Sequence, residues 1–199
     1  LVAGGPPCQG YSTAGMKDPA DPRNTLIGDF IRVVKELRPR YFLMENVTGL
    51  ATLHNGRLFE RVLEEFNSTG YDFNHFVVFA ADHGVPQMRK RLIIFGSRDG
   101  KAPNAPPRTH SSQESLDLFG SVAPYVTCGE ALEDIPAIPA GTTATRWDRK
   151  PETPFQRQMR KGAKVLMNHQ ASKHRSSTMA YYALVPPGGT ALDIPLEVR

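Results

Sequence analysis

At 199 residues, 40% hydrophobic and 22% charged, the chain has the composition of a folded domain with one good core, which excludes a disordered or fibrous class. No apolar run approaches membrane length, no signal-peptide pattern opens the chain, and two cysteines make no disulfide framework, so a reducing, intracellular setting is expected. The net charge of +4 leans only mildly towards nucleic acid.

Leu1-Val2-Ala3 reads as the end of a strand, so the chain is expected to begin in mid-element, as a fragment. It runs into Gly4-Gly5-Pro6-Pro7-Cys8, where proline fixes φ and holds the thiol in one pose. Most free cysteines are small buried apolar residues. A rigid thiol followed by a loop without helical or strand period, Gln9 to Asn24, also suits a nucleophile over which a substrate closes. Leu26, Ile27, Phe30, Ile31, Val34 and Leu37 recur with helical period before Pro39. Tyr41 to Met44 has strand composition and delivers Glu45-Asn46-Val47 at its C-terminal end, where ligands bind in α/β sheets. Leu58, Phe59, Val62, Leu63 and Phe66 form a second helical stripe that stops near Gly70.

Phe76 to Ala80 and Leu92 to Phe95 read as a pair of strands flanking Gln87-Met88-Arg89-Lys90-Arg91. If that segment is extended, alternation puts Gln87, Arg89 and Arg91 on one side, where guanidiniums can clamp phosphate and base edges and favour a nearby thiolate. The alternation of strands and helices over residues 1 to 99 argues for a mainly parallel α/β sheet.

Beyond residue 99 the character changes: eleven of the 17 prolines lie there. Residues 102 to 107 form a linker, and short helices are expected over Glu130 to Asp134, with Cys128 packed at its start, and over Phe155 to Lys161. Between Arg146 and Arg175 stand nine Lys or Arg against Asp148 and Glu152, interleaved with Trp147, Phe155, His169 and His174. Either a phosphate-tracking surface or a solvated face would look like this. His169 and His174 lack matching Cys or acidic ligands, so a zinc site is not expected.

The Pro-Cys-Gln, Glu-Asn-Val and Gln-x-Arg-x-Arg segments, in this order and spacing, resemble the motifs of the DNA cytosine-5 methyltransferases, most closely over residues 1 to about 99. The likeness returns more loosely in Met167-Asn168-His169 and Val185-Pro186-Pro187-Gly188-Gly189. It implies an α/β fold: the C-terminal part of a Rossmann-like methyltransferase sheet, then the loop-rich start of a target-recognition region. The implied division is a catalytic fragment over 1–99, a linker and short helix over 100–145, and a truncated recognition region over 146–199.

The chemistry so implied is methyl transfer from S-adenosylmethionine to C5 of cytosine in double-stranded DNA, after base flipping. Cys8 would add at C6 and a protonated Glu45 would assist at N3, with Arg91 at the base and Arg89 supporting Cys8 and a phosphate. Pro6, Gln9, Ser12, Asn46 and Gln87 would contact the substrate. Pro7 and Leu26 would border a cofactor pocket whose glycine-rich turn is missing here, and no metal is expected. The resemblance further implies a monomeric, cytoplasmic bacterial protein, with a cognate restriction endonuclease as a functional partner and no membrane. A tRNA substrate and a non-catalytic nucleic-acid-binding remnant are the alternative readings.

Overall fold

The computed structural model describes residues 1–7, 26–112 and 122–198. Contacts divide the chain into two compact units, Leu1–Thr127 and Cys128–Arg199. No helix among the described residues is long and apolar enough to cross a membrane.

The first unit is built on a four-stranded sheet in the order β1-β2-β4-β3, from β1 (Val2–Gly4), β2 (Tyr41–Asn46), β3 (Asp72–Phe79) and β4 (Lys90–Ser97). Strands β1 and β2 are parallel, with α1 (Leu26–Leu37) between them in sequence. The expected α/β class holds, but the described sheet is not mainly parallel: β4 runs antiparallel to both β2 and β3. The reason is loop length. Only residues 80–89 join β3 to β4, and a parallel crossover needs about a dozen residues or more.

Burial along β2 alternates, with Phe42, Met44 and Asn46 buried and Tyr41, Leu43 and Glu45 half-buried. Leu92 and Ile94 of β4 join the buried side. Against this face pack Ile27, Ile31 and Val34 of α1 and Val62 and Phe66 of α3 (Arg57–Asn67), the stripes that helical spacing predicts. Leu26 and Leu37, at the ends of the α1 stripe, stay exposed. Phe42 and Phe66 stack at 4.7 Å, and Gly96 leaves room for the Phe42 ring. A short helix, α2 (Gly49–Thr52), follows β2, and a two-stranded parallel pair, β5 (His110–Ser111) with β6 (Ala123–Pro124), completes the unit.

In the second unit, α4 (Cys128–Leu132) and α5 (Pro154–Met159) lie close to the two short helices expected, and α6 (Ser176–Tyr182) was not foreseen. Cys128 opens α4 as expected but is exposed rather than packed. Thr153 and Gln156 cap α5 reciprocally, and both side chains also donate to the Glu130 carbonyl, which ties α5 to α4. Arg160 binds the buried Asp134 at 3.1 Å, donates to the Arg149 carbonyl and lies 4.4 Å from the Trp147 ring. His169 bonds the Pro136 carbonyl through Nε2, and the His174 ring meets Tyr182 edge-on. Part of the basic segment is therefore internal structure: Arg160 is held in place and Arg157 donates to the Glu152 carbonyl.

Candidate active site

Parallel pairing brings the C-terminal ends of β1 and β2 to the same end of the sheet, and antiparallel β4 begins there. The register Gly4↔Met44 carries Gly5 past Glu45. A Cβ built on Gly5 would stand 3.1 Å from Glu45 Oε2, so glycine lets the backbone pass close to that carboxylate. One residue further, Asn46 Nδ2 donates to the Pro6 carbonyl at 3.0 Å, while Asn46 Oδ1 accepts from the Val47 N–H at 2.9 Å. Asn46 is 4% exposed, so this amide is a buried tie between the Pro-Pro and Glu-Asn-Val segments. A carbonyl has two lone pairs, which leaves Pro6 oxygen able to accept a second bond.

Glu45 pairs across the ladder with Ile93, so Arg91 lies diagonally opposite it on the same face. Arg91 Nε stands 2.6 Å from Glu45 Oε1, and Nη1 donates to the Lys90 carbonyl at 2.9 Å. The Nε–H makes no directed hydrogen bond, so the contact with Glu45 is an ion pair held by charge rather than by alignment. Both side chains keep partial access to solvent, 40% for Glu45 and 24% for Arg91. A carboxylate and a guanidinium thus meet beside the Pro6 segment, a constellation of acceptor, donor and carbonyl that suits the polar edge of a planar base.

Gln87 and Arg89 do not continue this strand. Gln87 N–H bonds Val85 oxygen and Arg89 N–H bonds Gln87 oxygen, each two residues back, so the chain folds through consecutive three-residue turns before β4 starts at Lys90. The alternation that grouped Gln87 and Arg89 with Arg91 therefore does not apply, because it needs an extended backbone. Both residues are exposed. Pro7 is exposed past the end of β1 and Leu26 opens α1 at 37% exposure. Cys8, Gln9 and Ser12 lie outside the described residues.

One constellation gave no signal in the sequence. Asp82, 6% exposed, sits in the 3₁₀ turn Ala80–His83 that precedes the Gln-x-Arg-x-Arg segment. Its Oδ1 accepts from the Tyr125 hydroxyl at 2.6 Å, its Oδ2 meets Arg108 Nε at 3.1 Å, and its carbonyl accepts from Thr109 N–H at 2.9 Å. The hydrogen bond to Asp82, followed by burial, holds the Tyr125 phenol above its ordinary pKa. Partners 26 and 43 residues away carry no periodicity, so only the fold reveals them.

The model of C-5 cytosine-specific DNA methylases matches residues 1–183. The Type II methyltransferase M1.HphI of Haemophilus parahaemolyticus is 33% identical over 202 residues, covering 100% of this chain and 46% of its own length. M.DdeI, a Type II methyltransferase of Desulfomicrobium norvegicum, is 34% identical, over 98% of this chain and 47% of its own. The chain thus spans about half the length of these relatives. Among solved structures, a candidate DNA modification methyltransferase encoded within an E. coli prophage superposes with a TM-score of 0.60 at 22% identity, over 92% of this chain and 55% of that one, which shows a shared fold.

Proposed function

The chain belongs to the C-5 cytosine-specific DNA methylase family, and from that premise we propose that it carries the base-handling part of an enzyme that methylates C5 of cytosine in double-stranded DNA. The observation that carries this reading is the convergence of the Pro6 carbonyl, Asn46, Glu45 and Arg91 at one end of the sheet. C5 of cytosine is too electron-poor to attack a methyl donor unaided. Addition of the Cys8 thiolate at C6 forms an S–C6 bond and moves the C5=C6 electron pair onto C5, which then takes the methyl group. Loss of the C5 proton restores the double bond and expels Cys8.

Glu45 serves the same step by sharing a solvent-derived proton with N3 and accepting from the exocyclic amine, which disperses charge as it builds. Arg91 faces Glu45, and the guanidinium has further donors that can reach the ring edge of the base. Cytosine must leave the duplex stack to reach these groups, at a cost of a few kcal/mol. Gln9 and Ser12 would contact the DNA; Gln87 and Arg89 would hold the flanking DNA strand, Arg89 also supporting Cys8. S-adenosylmethionine supplies the methyl group when bound. Pro7 and Leu26, both exposed apolar side chains, would form the rim of its pocket. In this reading residues 1–99 carry the chemistry and 146–199 begin the recognition region. A restriction endonuclease of matching sequence specificity is the expected functional counterpart, in keeping with relatives named Type II methyltransferases.

Adduct trapping with the full-length protein tests the proposal. Fluorine at C5 blocks proton loss, so with S-adenosylmethionine present a catalyst stays bonded to duplex DNA carrying 5-fluorocytosine. We expect a denaturant-stable adduct on DNA that is abolished by Cys8→Ser. Adduct formation on tRNA alone would replace the DNA reading, and none on either polymer from folded protein would end the catalytic one.

A further inference from the structure

A cleft of about 690 Å³ opens in the first unit where β4 begins, walled by Phe79, Asp82, Met88, Lys90, Arg108 and Tyr125. Lys90 precedes Arg91 and points to the opposite face of β4; Thr48, three residues past Glu45, completes the rim. The cleft therefore lies at the same end of the sheet as the candidate active site but is separate from it.

Its charges are unequal. Asp82 is the one acid of the lining, and it is already matched by the Tyr125 hydroxyl and by Arg108 Nε. Arg108 spends only Nε on that contact and is 76% exposed, so its two terminal amino groups face outward. Lys90 lies 5.7 Å from the Phe79 ring centroid and has no carboxylate within ion-pair distance among the described residues. Phe79 and Tyr125 meet edge-on at 6.1 Å, and Met88 is 77% exposed, which adds apolar wall beside the cations. Asp82 thus holds one cation and one phenol in fixed positions, and Lys90 and Arg108 against it leave the lining one net positive charge.

We propose that this cleft seats a backbone phosphate of the bound DNA strand, with Lys90 and Arg108 on the phosphate oxygens and Met88 and Tyr125 against the adjoining sugar. A phosphodiester is a ligand class that pairs a compact anion with an apolar neighbour, and two cations of different reach match its two free oxygens. The contact is independent of sequence. It would anchor the strand beside the flipped base and so offset part of the flipping cost. This inference rests on the DNA reading above.

The test is binding of the full-length protein to a labelled random-sequence duplex, by fluorescence anisotropy across a salt series. One lost phosphate contact should lower the slope of log K against log salt by about 0.9, which at 0.1 M salt is about an eightfold rise in Kd. We expect that change for Lys90→Ala and Arg108→Ala, and not for Lys35→Ala, which removes an equal charge on α1. A scan of single methylphosphonates should find one linkage whose neutralisation weakens the wild type but not Lys90→Ala. Wild-type affinity and slope in both cleft variants would overturn the phosphate seat while leaving the methyltransferase reading intact. An equal loss in Lys35→Ala would overturn it too, by making the effect one of net charge. A wild type that binds no duplex would overturn the seat and the DNA reading together.

Discussion

Replacing Asn46 by Asp tests the buried amide that ties Pro6 to the Glu-Asn-Val segment. The side chain is 4% exposed, donates through Nδ2 to the Pro6 carbonyl at 3.0 Å and accepts from Val47 N–H at 2.9 Å. Aspartate keeps the size and the acceptor but turns the donor into a second acceptor, setting lone pairs against lone pairs. Depriving a buried acceptor of its donor costs about 1–3 kcal/mol, and a carboxylate held at so buried a position adds to that. We expect a destabilisation of about 2–4 kcal/mol at pH 7, which for a chain of this size lowers Tm by about 4–16 °C.

The variant also makes a pH prediction. A carboxyl placed there titrates above its unfolded value, because only the protonated form can donate to Pro6. The cost is therefore full above the folded pKa and is relieved as pH falls through it towards the unfolded value. Urea unfolding followed by far-UV circular dichroism at pH 7 and pH 5 would measure both effects, with an unchanged m-value as the two-state check. A variant as stable as wild type at pH 7, or one with the same deficit at both pH values, would refute the argument that the amide donor carries this tie.

Two further predictions concern the sheet and its flank. Gly96→Ala would put a Cβ 2.5 Å from Phe42 Cζ and closer still to Cε1; Phe42 is fully buried and stacked on Phe66, so we expect a loss of about 1–3 kcal/mol in urea unfolding, and an unchanged midpoint would show that the ring can move aside. Tyr125→Phe should remove a phenol that ionises above the ordinary tyrosine range in a spectrophotometric titration, because the bond to Asp82 favours its neutral form. Since the folded pKa is raised, wild type should lose stability faster than Tyr125→Phe as pH climbs past about 10, and parallel curves would contradict the assignment.

Local chemistry was legible in the sequence wherever neighbours along the chain decide it. The stripes Ile27-Ile31-Val34 and Val62-Phe66 follow from a period of 3.6, and the strand ending at Glu45-Asn46 follows from composition and breakers, so the helices and β2 fall where spacing put them. The motif triplet identified the family because three short segments in fixed order carry information that composition lacks. What the chain could not show is how distant segments meet. Strand direction depends on the length of the link between β3 and β4 and on β4 inserting beside β2, a choice made by sheet pairing rather than by any residue in β4. The contact between Glu45 and Arg91 depends on register, in which a shift of one residue would turn Arg91 to the opposite face. The Asn46 bond to Pro6 spans forty positions, and Asp82 gathers Arg108 and Tyr125 from loops with no periodic signal. Side-chain identity set what each group can donate or accept, and only tertiary packing, which brings far residues within three ångströms, decided which partner each one has.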